Sequence, residues 1–157
     1  VLSGFFSSSR IWPHQLVTPE MEEKATSVMK FLRITRLAKS KITEVSTGES
    51  RLVLIGRALV HDPSTLLLDE PTSSLDPRAT SEMRQTTRRL AAAGKGIIMI
   101  THSLSDIIPE IQRVILVRGG RIVGDGDKSQ ILTDQSLSEL FGVAVQVMRR
   151  DGYYYCW

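Results

Sequence analysis

Several residues of this chain have the types and spacing needed to handle a phosphate ester. The stretch LLLDEPTSSLDP, residues 66–77, runs three leucines into Asp69 and Glu70 and reaches a further carboxylate at Asp76. A carboxylate at the carboxyl end of a buried strand lies where open α/β sheets bind ligands. There Asp69 can hold Mg²⁺ or its water shell, and Glu70 can orient or deprotonate an attacking water. His102 follows a second apolar run, GIIMI. At a strand end of the same sheet its imidazole can hydrogen-bond a phosphoryl oxygen and stabilise developing charge. The segment STGES, residues 46–50, opens a helix. Backbone N–H groups and the helix dipole make such a start an anion site. Gly48 permits close backbone approach, and the Ser46 hydroxyl can donate. Each feature has a plainer reading: two acids at a strand end, a satisfied histidine, an ordinary N-cap. The PTSSLD run and the strand-end place of His102 favour chemistry for Asp69, Glu70 and His102. Local physics alone favours the cap for Ser46.

These residues must be positioned by regular elements. The segment TPEMEEKATSVMKFLRITRLAKS, residues 18–40, reads as a helix. Thr18 caps it, Pro19 fits its first position, and Glu20, Glu22 and Glu23 suit the positive end of its dipole. Ser46 followed by Glu49 is a capping box before a helix that carries Leu52, Ile55, Ala58 and Leu59 on one face. STLLLDE is a continuous apolar run, expected of a strand buried on both faces of a parallel sheet. Asp76 and Pro77 start a helix that stops at Gly94. GIIMIT reads as a second buried strand, SDIIPEIQ as a short helix broken by Pro109, and RVILV as a third strand. Gly119 and Gly120 turn the chain into RIVGDG. SQILTD and SLSELFG suggest short helices, and Asp151-Gly152 is a type I′ hairpin signal. Strands and helices alternating from residue 63 to 118 argue for an α/β layer. The reading divides the chain into a helical part, residues 1–60, and an α/β part, residues 61–157.

Composition sets the outer limits. The chain has 157 residues, 41% hydrophobic and 24% charged, which is ordinary for a globular domain. A net charge of +3 without a concentrated basic stripe argues against nucleic acid. The pairs Arg88-Arg89 and Arg149-Arg150 read as solvated faces. The single cysteine, Cys156, cannot form an internal disulfide. No apolar run approaches the roughly 18 residues of a spanning helix. The sequence opens at Val1 inside an apolar segment, so a longer natural N-terminus is expected.

Together the motifs resemble the nucleotide-binding subunit of ABC transporters. VSTGESR is similar to the family's signature motif, LLLDE to its Walker B strand, SSLD to its D-loop, and His102 to its switch histidine. The opening segment resembles ATPases of molybdate- or iron-type uptake systems. The resemblance implies a P-loop NTPase-like (RecA-like) parallel-sheet core, truncated at the N-terminus, with a helical signature subdomain. It implies ATP and Mg²⁺ as cofactors and two ATP sites at a head-to-tail dimer interface. Asp69 would support the metal, Glu70 would activate water, and His102 would stabilise the transferred phosphoryl group. Ser46, Thr47, Gly48 and Glu49 would meet ATP held by the partner, and Asp76 would cross the interface. The implied partners are a second ABC ATPase subunit, the same or different, and membrane permease subunits. The implied location is cytoplasmic, peripheral on the inner face of the membrane.

The sequence also departs from the family pattern. The signature usually reads Leu-Ser-Gly-Gly-Gln; here Thr47 replaces a glycine and Glu49 places a carboxylate near phosphate. No G-x-x-x-x-G-K-[ST] loop occurs in these residues. The leading expectation is therefore an importer-type ATPase subunit present as its C-terminal portion, inactive alone. In the family's sheet order the phosphate-loop strand lies between GIIMIT and RVILV, so poor stability of the isolated chain is also expected. A second expectation is a degenerate subunit that lends its signature to a complete ATPase. A split head of the chromosome-maintenance type would need heptads upstream of the signature, and none are sustained there.

Overall fold

The computed structural model describes residues 1–8 and 10–157. They form two compact units, Val1–Ile98 and Met99–Trp157.

The first unit opens with a 3-10 turn, Leu2–Phe6, and then α1, Pro19–Phe31. The Thr18 hydroxyl accepts from the Met21 N–H at 3.3 Å, and Pro19 opens the helix as the sequence requires. The helix is shorter than the spacing predicts. Ile34 N–H bonds Met29 C=O at 2.9 Å and Arg33 N–H bonds Lys30 C=O at 3.0 Å, with Arg33 left-handed at φ 61°. This is a Schellman cap with arginine where glycine is usual. Reversing here buries Leu32 and Ile34 completely. That burial outweighs the helical periodicity that runs on to residue 40; only a 3-10 turn, Thr35–Leu37, follows.

The next helix, α2, spans Thr47–Leu59 and buries Gly48, Leu52, Ile55, Gly56 and Leu59. Ala58, expected on that face, is exposed. Strand β1 covers Thr65–Asp69, helix α3 Pro77–Ala92, and strand β2 Gly96–Ile100. Strands β1 and β2 pair in a two-stranded sheet and are joined through α3, the connection that parallel neighbours need. Gly94, at φ 82°, ends the helix where expected. The expectation of burial on both faces fails. Leu66 and Leu68 are inside, but Leu67 is 63% exposed and Ile98 54%. Among the described residues nothing covers the second face, so a continuous apolar run behaves as an alternating strand.

The second unit begins within β2. The predicted helix after His102 is only a 3-10 turn, Leu104–Asp106. Pro109 lacks an N–H and disfavours helix just before it, while Leu104 and Ile108 are held in the interior. Strands β3, Arg113–Arg118, and β4, Arg121–Asp127, pair antiparallel with a bulge at Leu116/Val117. Short helices α4, Lys128–Ile131, and α5, Asp134–Phe141, follow as expected. Strands β5, Val147–Arg150, and β6, Tyr153–Cys156, close the chain. Asp151 at φ 52° and Gly152 at φ 81° are both left-handed, as a type I′ turn demands. Leu104, Leu116, Leu132, Leu137 and Tyr154 form this unit's core. Among the described residues no helix is long and apolar enough to cross a membrane.

Candidate functional site

The helix start at Ser46 is built as a capping box. Ser46 Oγ accepts from Glu49 N–H at 3.2 Å, and Glu49 Oε2 accepts from Ser46 N–H at 2.9 Å. Glu49 Oε1 also takes a 2.8 Å bond from Arg36 Nη2. The carboxylate that departs from the family pattern is thus turned back onto its own helix and paired with a cation. Its pKa is lowered, chiefly by the Ser46 N–H; burial opposes this, and the Ser46 hydroxyl and Arg36 add smaller lowering effects. The N–H groups of Thr47 and Gly48 have no acceptor within the helix, as geometry dictates for its first turn. Ser46 and Thr47 are exposed. An anion approaching this turn therefore meets first-turn N–H groups that the helix itself does not pair and the positive end of α2.

Gly48 serves a second purpose. A Cβ at this position would stand 2.9 Å from the Ala79 Cβ. The glycine therefore permits α2 to approach the start of α3, and its buried side faces protein. The start of α3 is fixed by Asp76, whose Oδ1 accepts from Ala79 N–H at 2.9 Å while the residue stays exposed.

Asp69 ends β1 and is exposed; Glu70, half-buried, follows it directly. Glu70 adopts φ 45°, a left-handed conformation that costs a non-glycine residue about 1–2 kcal/mol. Such backbones persist where their surroundings hold them, and they gather at functional sites. One group that holds it is Arg51 of α2. Its Nη1 donates to the Glu70 carbonyl and its Nη2 to the Ser73 carbonyl at 2.7 Å. A cavity of about 560 Å³ lies beside this loop, lined among others by Arg51, Leu54, Leu67, Asp69, Glu70 and Met83.

His102 belongs to the second unit, two residues past the end of β2, and is exposed. Its loop is pinned on both sides. Thr101 Oγ1 donates to Asp106 Oδ2 at 3.1 Å and accepts from Ser103 N–H at 3.0 Å. Asp106 is 1% exposed. The arginine pairs read as solvated faces are so for Arg88, Arg149 and Arg150. Arg89 instead donates to Thr86 Oγ1 at 2.8 Å, and burial lowers its pKa.

The first unit thus brings together the helix start at Ser46–Glu49, Asp69, Glu70 and the Asp76 cap. Among the described residues no cluster of three or more His, Cys, Asp or Glu could enclose a metal. Asp69, exposed at the end of β1, offers the single carboxylate that Mg²⁺ takes beside a nucleotide, where waters and phosphate oxygens supply the other ligands. Sequence reasoning missed Arg51, Arg36 and Asp106. Arg36 precedes Glu49 by thirteen residues and Arg51 reaches main-chain atoms nineteen and twenty-two residues away. No local pattern announces such bonds. Asp106 carries a weak signal, an acid four residues past His102.

Comparison with known proteins places the chain among ABC transporter ATP-binding proteins. The family profile described as "ABC transporter" matches residues 2–73. The uncharacterized ABC transporter ATP-binding protein YlmA of Bacillus subtilis (strain 168) is 32% identical over 149 residues, 94% of this chain and 56% of that protein. The Nod factor export ATP-binding protein I of Neorhizobium galegae is 32% identical over 120 residues, 76% of this chain and 35% of that one. An ABC transporter solved in an inward-facing conformation overlays on 99% of this chain and 62% of its own, with a TM-score of 0.83 and 25% identity. The ATP-binding cassette MJ1267 in its ADP conformation overlays on 87% of this chain and 54% of its own, with a TM-score of 0.74 and 28% identity. The chain spans about half the length of the curated relatives it matches. The comparisons give no support to a degenerate, non-hydrolysing subunit.

Proposed function

From its membership of the ATP-binding family of ABC transporters, to which the chain belongs, we propose that it carries the water-activating and signature parts of an ATP-hydrolysing transporter subunit. The observation that carries the reading is the Glu70 backbone, held left-handed at the end of β1 by Arg51 from the helix that starts at Ser46. In this proposal Glu70 takes a proton from, or orients, the water that attacks the γ-phosphate. His102 donates a hydrogen bond to the phosphoryl oxygens as charge builds on them. Thr47 and Gly48 N–H groups, with the Ser46 hydroxyl, meet a γ-phosphate held by a second ATPase subunit. Mg²⁺, when bound beside Asp69, would neutralise phosphate charge.

No G-x-x-x-x-G-K-[ST] loop occurs in these 157 residues. Turnover therefore needs phosphate-gripping residues from elsewhere, and the chain alone is expected to show none. The proposed partners are that second subunit and membrane permeases, which would hold the chain at the cytoplasmic face. Import is the finer part of the proposal. It rests on the opening segment's likeness to uptake ATPases; the Nod factor export relatives stand against it. The direction of solute movement in vesicles decides between them.

The central test is Glu70→Gln in the assembled transporter. The expected result is hydrolysis reduced by about a hundredfold or more while ATP-dependent association persists. Undiminished hydrolysis would remove the reading.

A further inference from the structure

We propose that Arg51 is a positioning residue that couples the anion-binding start of α2 to the main chain carrying Glu70. The inference rests on the reading of Glu70 as the group that activates water. Arg51 lies one turn beyond Gly48 on α2 and is half-buried. Its two terminal nitrogens each take one carbonyl of the loop that follows β1, at Glu70 and at Ser73. Those carbonyls belong to a tightly turned segment. Ser73 N–H bonds the Glu70 carbonyl at 3.2 Å, and Leu75 N–H bonds the Thr72 carbonyl at 3.1 Å. Within it Glu70 and Ser74 are left-handed, at φ 45° and 60°.

A guanidinium suits this task. Its donors form a planar fork of fixed geometry, and its charge does not titrate in the working range of a protein. Two carbonyls held by one rigid plane cannot shift independently. A second tie lies nearby, where Gly48 lets the first turn of α2 approach Ala79 in the first turn of α3. The start of α2, the loop 70–75 and the Asp76 cap therefore move as one block. A pull on the Thr47 and Gly48 N–H groups by phosphate is delivered to the Glu70 main chain. Lysine offers a single ammonium and cannot reproduce the fork.

Hydrogen exchange of the whole chain tests the clamp without nucleotide. Amides of residues 72–75 should exchange about tenfold faster in Arg51→Met and by a smaller factor in Arg51→Lys, with α1 amides within about twofold of wild type. Unchanged exchange at 72–75, or equal acceleration throughout α1, overturns the proposal. Should Arg51→Met fail to fold, Arg51→Lys is judged by the same two criteria. In the assembled transporter, Arg51→Lys should lower kcat about tenfold and leave KM for ATP within about threefold. An unchanged kcat beside an inactive Glu70→Gln also overturns it. If Glu70→Gln itself still turns over ATP, the functional reading falls, while the exchange experiment still judges the clamp.

Discussion

Glu49 illustrates how a single residue can break a family pattern without spoiling a site. Its charge is spent on the Ser46 N–H and on Arg36, so little of it faces the helix start. The same bonds have a pH signature. The folded-state pKa of Glu49 lies below its unfolded value. The ionised group therefore contributes stability above the unfolded pKa, and the contribution is lost as pH falls through the folded one. Glu49→Gln should flatten the pH dependence of the urea midpoint just below the ordinary carboxylate range. Parallel curves for the two proteins would contradict this. The effect is small, because Glu49 is solvent-accessible and exposed pairs such as Arg36–Glu49 are worth about 0.2–1 kcal/mol. The capping box was legible in sequence because both its bonds close within three residues. Arg36 was not, because its bond depends on the reversal of the chain after α1.

At the scale of elements, the approach of α2 to α3 depends on a missing side chain. Gly48→Ala would place a methyl 2.9 Å from the Ala79 Cβ. Overpacking of this kind costs about 1–3 kcal/mol, and the better helix propensity of alanine returns about 1. The variant should be destabilised by about 1 kcal/mol net. Adding Ala79→Gly should recover more than additivity allows, by about 0.5 kcal/mol or more in a double-mutant cycle. Strict additivity of the two melting shifts would show that the helices do not meet there. The elements themselves were largely readable: the Thr18, Ser46 and Asp76 caps, the Gly94 stop and the Asp151-Gly152 turn all stand where local chemistry puts them. Two helix limits were not. Leu32 and Ile34 end α1 through burial, and Arg33 occupies a left-handed position that sequence rules reserve for glycine. After His102, Pro109 and interior packing leave one 3-10 turn.

For the whole molecule, the apolar strands are the informative surprise. Periodicity in STLLLDE and GIIMIT reports what a strand can bury, not what is present to bury it. Leu67 and Ile98 in the first unit, and Ile115 and Val117 in the second, are 48–63% exposed. Apolar strands with open faces and edges promote association. The isolated chain should self-associate with rising concentration and melt without a sharp transition. Ile98→Lys should raise the monomer fraction seen by light scattering without loss of helical circular dichroism signal. A monodisperse wild-type chain with a sharp, high-temperature melt would refute the expectation. The pairing of the strands also sets a kinetic order. Strands β3 with β4 and β5 with β6 meet across two-residue turns, whereas β1 reaches β2 only after α3 has been laid down. Short loops close at little entropic cost and long ones slowly. The C-terminal hairpins, although synthesised last, are therefore the strand pairs that can form soonest once the chain is free to fold.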